Sequence, residues 1–266
     1  MKPDLVVLGC GYLGEALTRL ARARGLRVVG TVRSDVREGR LRPMGFEIIA
    51  APALTADLVG ELVGPESHVV VAFPPDGTTD AAIVSRSSEA AAITYISSTG
   101  VYGDARGVVN DATAVPAAQT EHGARILRAE DTWRAVGATV LRCPAIYGRD
   151  RGIHQRIIRG EHRIAGDGSM FTSRIHVEDL AQLVLAARET RRETFVVGDL
   201  APATQSEIAA WVAHEYGVPI PPHVPIEQVH PTLRSDRQVD GSRALKVLNV
   251  TLTYPRYTDG MASLSQ

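Results

Sequence analysis

Residues 5 to 17 read Leu-Val-Val-Leu-Gly-Cys-Gly-Tyr-Leu-Gly-Glu-Ala-Leu, three glycines spaced G-x-G-x-x-G between an apolar run and a helical pattern. Such a turn holds a pyrophosphate with backbone amides. Gly9 permits the tight strand-to-helix turn, Gly11 lets the backbone approach the anion, and Gly14 lets the helix pack closely on the sheet. The amides opening the helix, at Tyr12 and Leu13, add donors at its positive end. Further along, the strand pattern of residues 26–34 ends in Arg33, flanked by Thr31 and Ser34, where an acidic residue would accept from a ribose 2′-hydroxyl. A guanidinium and two hydroxyls suit a 2′-phosphate instead, so these residues favour NADP over NAD, the plainer reading of Arg33 being a solvated loop arginine. The run from His68 to Pro75 reads as a buried strand stopped by two prolines, which sets Ala72, Phe73 and Pro74 beside the cofactor.

Three further segments carry a resemblance. Ser97-Ser98-Thr99-Gly100-Val101-Tyr102-Gly103 is similar to the S-[ST]-x-x-V-Y-G segment of the extended short-chain dehydrogenase/reductase superfamily, the NAD-dependent epimerase/dehydratase group. Leu141-Arg142-Cys143-Pro144-Ala145-Ile146-Tyr147-Gly148 resembles its L-R-x-x-x-x-Y-G strand, and the stretch from Arg174 to Ala181 resembles its R-x-x-H-V-x-D-x-A. With the glycine turn, these segments span residues 5 to 181 in family order. The resemblance implies a doubly wound sheet and a nicotinamide cofactor, with Pro144 in its site. It implies a hydroxyl that hydrogen-bonds the reacting oxygen, here Ser98 with Thr99 adjacent, and a substrate lobe to which Arg174 and His176 belong. Ser98 as a plain strand-end hydroxyl and His176 as a packed histidine at a helix start are the structural alternatives.

The superfamily's helix after strand five carries Tyr-x-x-x-Lys, the tyrosine as acid/base and the lysine lowering its pKa. With Glu130 aligned to the glutamate that commonly follows the pair, His122 takes the tyrosine position and Ile126 the lysine position. No register restores the lysine, because the chain's lysines are Lys2 and Lys246 alone. Arg125, one position along the helix, points elsewhere. His122 is the candidate acid/base, imidazole being the side chain suited to proton exchange at neutral pH, with a solvated or capping histidine as its alternative. Two functions follow from different classes. One is an NADP-dependent oxidoreductase or epimerase of atypical extended type, acting on a small polar, nucleotide-linked substrate; the other is a non-catalytic NADP-binding sensor or regulatory protein.

The elements that must position these residues form an alternating pattern. With 266 residues, 44% of them hydrophobic, the expected fold is a single α/β chain: a doubly wound, mainly parallel sheet of Rossmann type with a small C-terminal lobe. Residues 1–150 form the NADP-binding domain and 151–266 a substrate lobe interleaved with it. Strands are expected at 46–50, 94–104, 139–148 and 194–197, and helices from Leu13 to the stop at Gly25, at 57–63, 80–92, 120–130 and 153–160. Thr204 and Glu207 make a capping box for a further helix. A net charge of -1 gives no case for nucleic acid or an acidic membrane surface, and no run approaches transmembrane length. Two cysteines without a disulfide framework fit a reducing, cytoplasmic setting, and the eight histidines show no metal-ligand spacing. The resemblance also implies a homodimer through the Tyr-x-x-x-Lys helix, to which Ile126, Leu127 and Trp133 would contribute apolar surface.

Overall fold

The computed structural model describes residues 1–117, 120–230 and 233–263. Its frame is a seven-stranded sheet built from β1 (Leu5–Leu8), β2 (Val28–Val32), β3 (Glu47–Ala50), β4 (His68–Val71), β5 (Ala92–Ser98), β6 (Thr139–Cys143) and β7 (Thr194–Val196). Every pairing is parallel, in the spatial order β3-β2-β1-β4-β5-β6-β7. The chain order reverses between β1 and β4, and a doubly wound sheet opens its ligand crevice at the carboxyl ends of those two strands.

The helices are α1 (Tyr12–Ala23), α2 (Asp35–Leu41), α3 (Ala56–Leu62), α4 (Thr79–Ser87), α5 (Glu121–Ala135), α6 (Ile153–Ile158), α7 (Val177–Ala186), α8 (Gln205–Tyr216), α9 (Ser242–Val247) and α10 (Tyr257–Ala262). Successive strand residues face opposite ways, which makes two cores. Leu5, Val7, Val28 and Val70 pack with Leu13 and Leu17 of α1 and Leu180 and Val184 of α7. Val6, Leu8, Val69 and Val71 pack on the other side with Val59 of α3, Ile83 of α4 and Trp133 of α5. Gly25, at φ +80°, follows α1 and stops it. The second half of the chain returns to this frame, β7 joining the sheet beside β6 and α7 packing on α1. The remaining lobe has a small core of its own, in which Ile157, Ile164, Ile208, Val212 and Met261 surround Tyr147.

Three expectations are corrected. The strand placed at 94–104 ends at Ser98 and continues as a 3-10 turn over Thr99–Tyr102, because the Ser98 hydroxyl accepts the Gly100 amide and turns the chain. The strand placed at 139–148 breaks at Pro144, which has no N–H to continue the ladder. Ala145–Tyr147 then pairs with Arg174–His176 in a separate two-stranded ladder. Ile126 and Trp133 offer no dimer surface: both are buried, and the Trp133 indole N–H donates to Asp80 at 2.7 Å. Leu127, the third residue expected there, is half-buried beside Val101, Tyr102 and Ile126, so the expected apolar surface is reduced to it.

Candidate active site

The glycine turn is built from both flanking strands. Gly9 sits at φ +89°, and a Cβ there would lie 2.9 Å from the Cβ of Phe73. Its amide donates to the Thr31 hydroxyl at 3.1 Å, tying the turn to β2. A Cβ on Gly14 would stand 3.2 Å from Cys10 Sγ and from Val7, the close helix-to-sheet contact expected of this position. Gly11 is different. Its φ is −84°, open to any residue, and the nearest atom to a Cβ there is the Gly9 carbonyl at 3.9 Å. Packing explains the glycines at 9 and 14, but neither packing nor backbone conformation explains the one at 11.

Around this turn the chain adds charge. Arg37 of α2 donates from Nε to the Cys10 carbonyl at 3.0 Å, and both Arg37 and Arg40 bind the Glu15 carboxylate in the first turn of α1. Tyr12 is half-buried, and its hydroxyl fills the space beside Gly148. The Arg151 guanidinium lies 5.3 Å from the centre of the Tyr12 ring. Leu13 is buried in the core.

A cleft of about 350 Å³ opens beside the turn, lined by Gly9, Thr31, Arg33, Leu54, Phe73 and Asp76 among others. Of the three residues expected at its ribose end, Arg33 and Ser34 are exposed and Thr31 is buried. Thr31 is 1% exposed, with its oxygen taken by Gly9, and Ser34 caps α2 by accepting the Arg37 amide at 3.4 Å. Arg33 is solvated, with Nη2 at 4.0 Å from the Asp76 carboxylate. Phe73 forms a wall of the cleft, Ala72 is half-buried and Pro74 is exposed. Asp76 went unread in the sequence. Its Oδ1 accepts the Thr78 and Thr79 amides at 3.0 and 2.8 Å and its Oδ2 the Thr79 hydroxyl at 2.6 Å. These bonds hold its carboxyl far below the usual range. The Asp-Gly-Thr-Thr run that follows the two prolines beyond β4 was the available signal, since such aspartates cap the following turn.

At the end of β5, Ser98 is half-buried, and accepting the Gly100 amide at 3.0 Å leaves its hydroxyl proton free to donate. Thr99 is buried within the turn. Ile126, in the position expected for lysine, is buried with Val101 and Tyr102. His122 is exposed in the first turn of α5, and among the described residues no hydrogen bond joins it to Ser98. Pro144 is half-buried at the end of β6.

Behind this wall the resembling motifs meet in one buried network. Arg142 grips Glu130 with two bonds, Nε to Oε1 at 3.0 Å and Nη2 to Oε2 at 2.8 Å. Ser97 donates to Glu130 at 2.5 Å, Arg134 donates to it as well, and Arg142 Nη1 donates to the Tyr102 hydroxyl at 3.0 Å. Burial opposes the Glu130 charge, yet Arg142, Ser97 and Arg134 together hold its carboxyl below the ordinary value. The network fixes the end of β5, and so Ser98, against α5 and β6.

Arg174 and His176 are corrected as substrate ligands, since each is 3% exposed. Arg174 donates to the Thr172 hydroxyl at 2.6 Å and stacks 5.0 Å from the Tyr257 ring. His176 caps α7, its Nδ1 accepting the Glu178 amide at 3.3 Å, between the rings of Tyr147 and Tyr254. Burial lowers its pKa to about 4, so it is neutral at pH 7. Asp179 accepts the Thr253 and Tyr254 amides at 2.7 and 2.9 Å, clamping the C-terminal segment onto α7. Among the described residues no group of three or more metal-binding side chains occurs, and no helix is long and apolar enough to cross a membrane.

The parallel sheet, its glycine turn at the reversal point and the cleft beside that turn define a Rossmann-type dinucleotide fold. No protein-family model and no curated protein matches the sequence. Among solved structures, the chain is similar to a functionally unknown conserved protein from Silicibacter pomeroyi DSS, with 28% identity, TM-score 0.86, and coverage of 99% of this chain and 98% of that one. It is also similar to MoeE5 in complex with UDP-glucose and NAD, with 24% identity, TM-score 0.76 and coverage of 98% and 97%. A third is UDP-glucuronic acid 4-epimerase from Bacillus cereus in complex with NAD, with 17% identity, TM-score 0.77 and coverage of 98% and 96%. These likenesses show a shared fold.

Proposed function

We propose that the chain is an NADP-dependent oxidoreductase or epimerase of atypical extended type, acting on a small polar, nucleotide-linked substrate. The observation that carries the cofactor is Gly11. A glycine that neither its φ nor its protein neighbours require, at the start of α1, is accounted for by a pyrophosphate lying against the backbone. The residues present fit such a group: the amides of Tyr12 and Leu13 for the pyrophosphate, Arg33 for the 2′-phosphate, and the cleft walled by Phe73 and Leu54 for the adenosine. Bound there, the nicotinamide would supply hydride transfer.

The chain's own contribution to chemistry is a donor and a proton. Ser98, locked by the Gly100 amide and by the Glu130 network behind it, keeps a hydroxyl proton to place on a carbonyl or alkoxide oxygen of the substrate. His122, in the tyrosine position and open to solvent, would exchange the proton, directly or through one water. The substrate class rests on the UDP-sugar ligand and substrate named for the two similar NAD-complexed structures. The experiment is a screen of nucleotide sugars and small carbonyl compounds, following nicotinamide absorbance, with Ser98→Ala as the control. Turnover that Ser98→Ala slows by on the order of a hundredfold supports the reading.

A second reading has its own observation. Ile126 buries an apolar side chain where the lysine would lie. A protein that holds NADPH tightly and turns over no substrate in the screen is the non-catalytic sensor.

A further inference from the structure

Two opposite charges face each other across the cleft, one from each strand that forms its floor. Arg33 follows β2 and Asp76 follows β4, and both line the same 350 Å³ space as Gly9 and Phe73. At 4.0 Å they form an exposed pair, the arginine 66% and the aspartate 38% accessible. A pair of this kind is weak and readily exchanged. The aspartate is nonetheless held in place, because four bonds from Thr78 and Thr79 fix its carboxylate at the mouth of α4.

We propose that Asp76 is a second determinant of cofactor choice, working against Arg33. The inference rests on the cofactor reading above and adds to it a residue outside the βαβ turn. A 2′-phosphate that reaches Arg33 must take it from Asp76 and then lie close to a fixed carboxylate, which repels it. A 2′-hydroxyl has the reverse preference: it donates to the carboxylate and gains little from the guanidinium. Arg33 therefore pulls toward the phosphorylated cofactor and Asp76 toward the unphosphorylated one. The preference of the parent protein for NADPH is accordingly smaller than Arg33 alone would set.

Asp76→Asn separates the charge from the loop. The asparagine carbonyl still accepts the Thr78 and Thr79 amides that Oδ1 accepts now, and its amide group can donate to the Thr79 hydroxyl. Asp76→Ser is the second variant, since a serine hydroxyl caps the same turn without charge. Dissociation constants for NADPH and NADH are measured by calorimetry on parent, Asp76→Asn, Asp76→Ser and Arg33→Gln, with melting temperatures to check folding. Loss of the carboxylate should raise the ratio of NADPH to NADH affinity by on the order of tenfold, mostly through tighter NADPH. The gain should shrink in high salt, because the charges are exposed. An unchanged or lower ratio in folded Asp76 variants, with Arg33→Gln still lowering it, overturns this inference and leaves the cofactor reading intact. A parent that binds neither dinucleotide overturns both.

Discussion

Replacing Gly11 with alanine should separate folding from cofactor binding in a way no neighbouring glycine can. The added methyl meets no protein atom nearer than the Gly9 carbonyl at 3.9 Å, and φ −84° is ordinary for alanine. Alanine in place of glycine at a helix N-cap costs on the order of 0.5–1 kcal/mol, the typical loss of a polar cap to alanine less its loss to glycine. Reduced freedom of the unfolded chain returns about 0.4–1 kcal/mol. The melting free energy should therefore change by less than about 1 kcal/mol. Binding responds differently, since the methyl occupies the approach of the pyrophosphate to the backbone; a loss of at least about 2.7 kcal/mol, roughly a hundredfold in Kd, is expected. Gly14→Ala is the contrast: its methyl would press on Cys10 Sγ and Val7 at 3.2 Å, and overpacking of this kind costs about 1–3 kcal/mol of stability. Denaturant melts paired with NADPH titrations read both quantities. Gly11→Ala that binds NADPH like the parent would refute the reasoning, because the pyrophosphate would then lie elsewhere.

Other outcomes follow from the same geometry. Glu130→Ala strands the buried Arg142 guanidinium and should cost about 3–5 kcal/mol in a denaturant melt; a loss under about 1 kcal/mol would show the network to be dispensable. If substrate turnover is found, His122→Phe should slow it; a variant that turns over like the parent puts the proton with another group. Burial lowers His154, His162 and His176 to about 4, below the ordinary histidine value of 6.5. Between those values the unfolded chain binds more protons, so the stability these groups contribute is full above pH 6.5 and is lost as pH falls to about 4. Melts over that range should show the decline, and a flat profile would contradict it. Asp199 has the opposite sign: burial raises it to about 7, so its contribution is present at low pH and lost as pH rises through 7, a loss that Asp199→Asn should abolish.

The sheet was legible because its strands are short, largely apolar runs at βαβ spacing, and Gly9, Gly14 and Gly25 mark places where backbone conformation or close packing requires glycine. The helix faces were less so. Ile126 and Trp133 look like an apolar stripe open to a partner, and only the return of β5 and α4 against α5 shows that both are covered. Partnerships across the chain left no local trace: Asp76 faces Arg33 only because β1 and β4 are neighbours in the sheet, and Thr31 is spent on Gly9 only because β2 flanks β1 on its other side. Arg174 and His176 carry residue types that suit a phosphate, but their burial is decided by the C-terminal segment around Tyr254 and Tyr257, which packs over them from far along the chain. Glu130 served to align the helix, and its contact with Arg142 explains why a glutamate stands there.

The most direct test is an equilibrium titration of the parent protein with NADPH and, separately, NADH. One NADPH bound per chain, with NADH bound more weakly, is the result expected from Arg33 beside the Gly11 turn. Failure to bind NADPH, or NADH binding as tightly or more tightly, would contradict it.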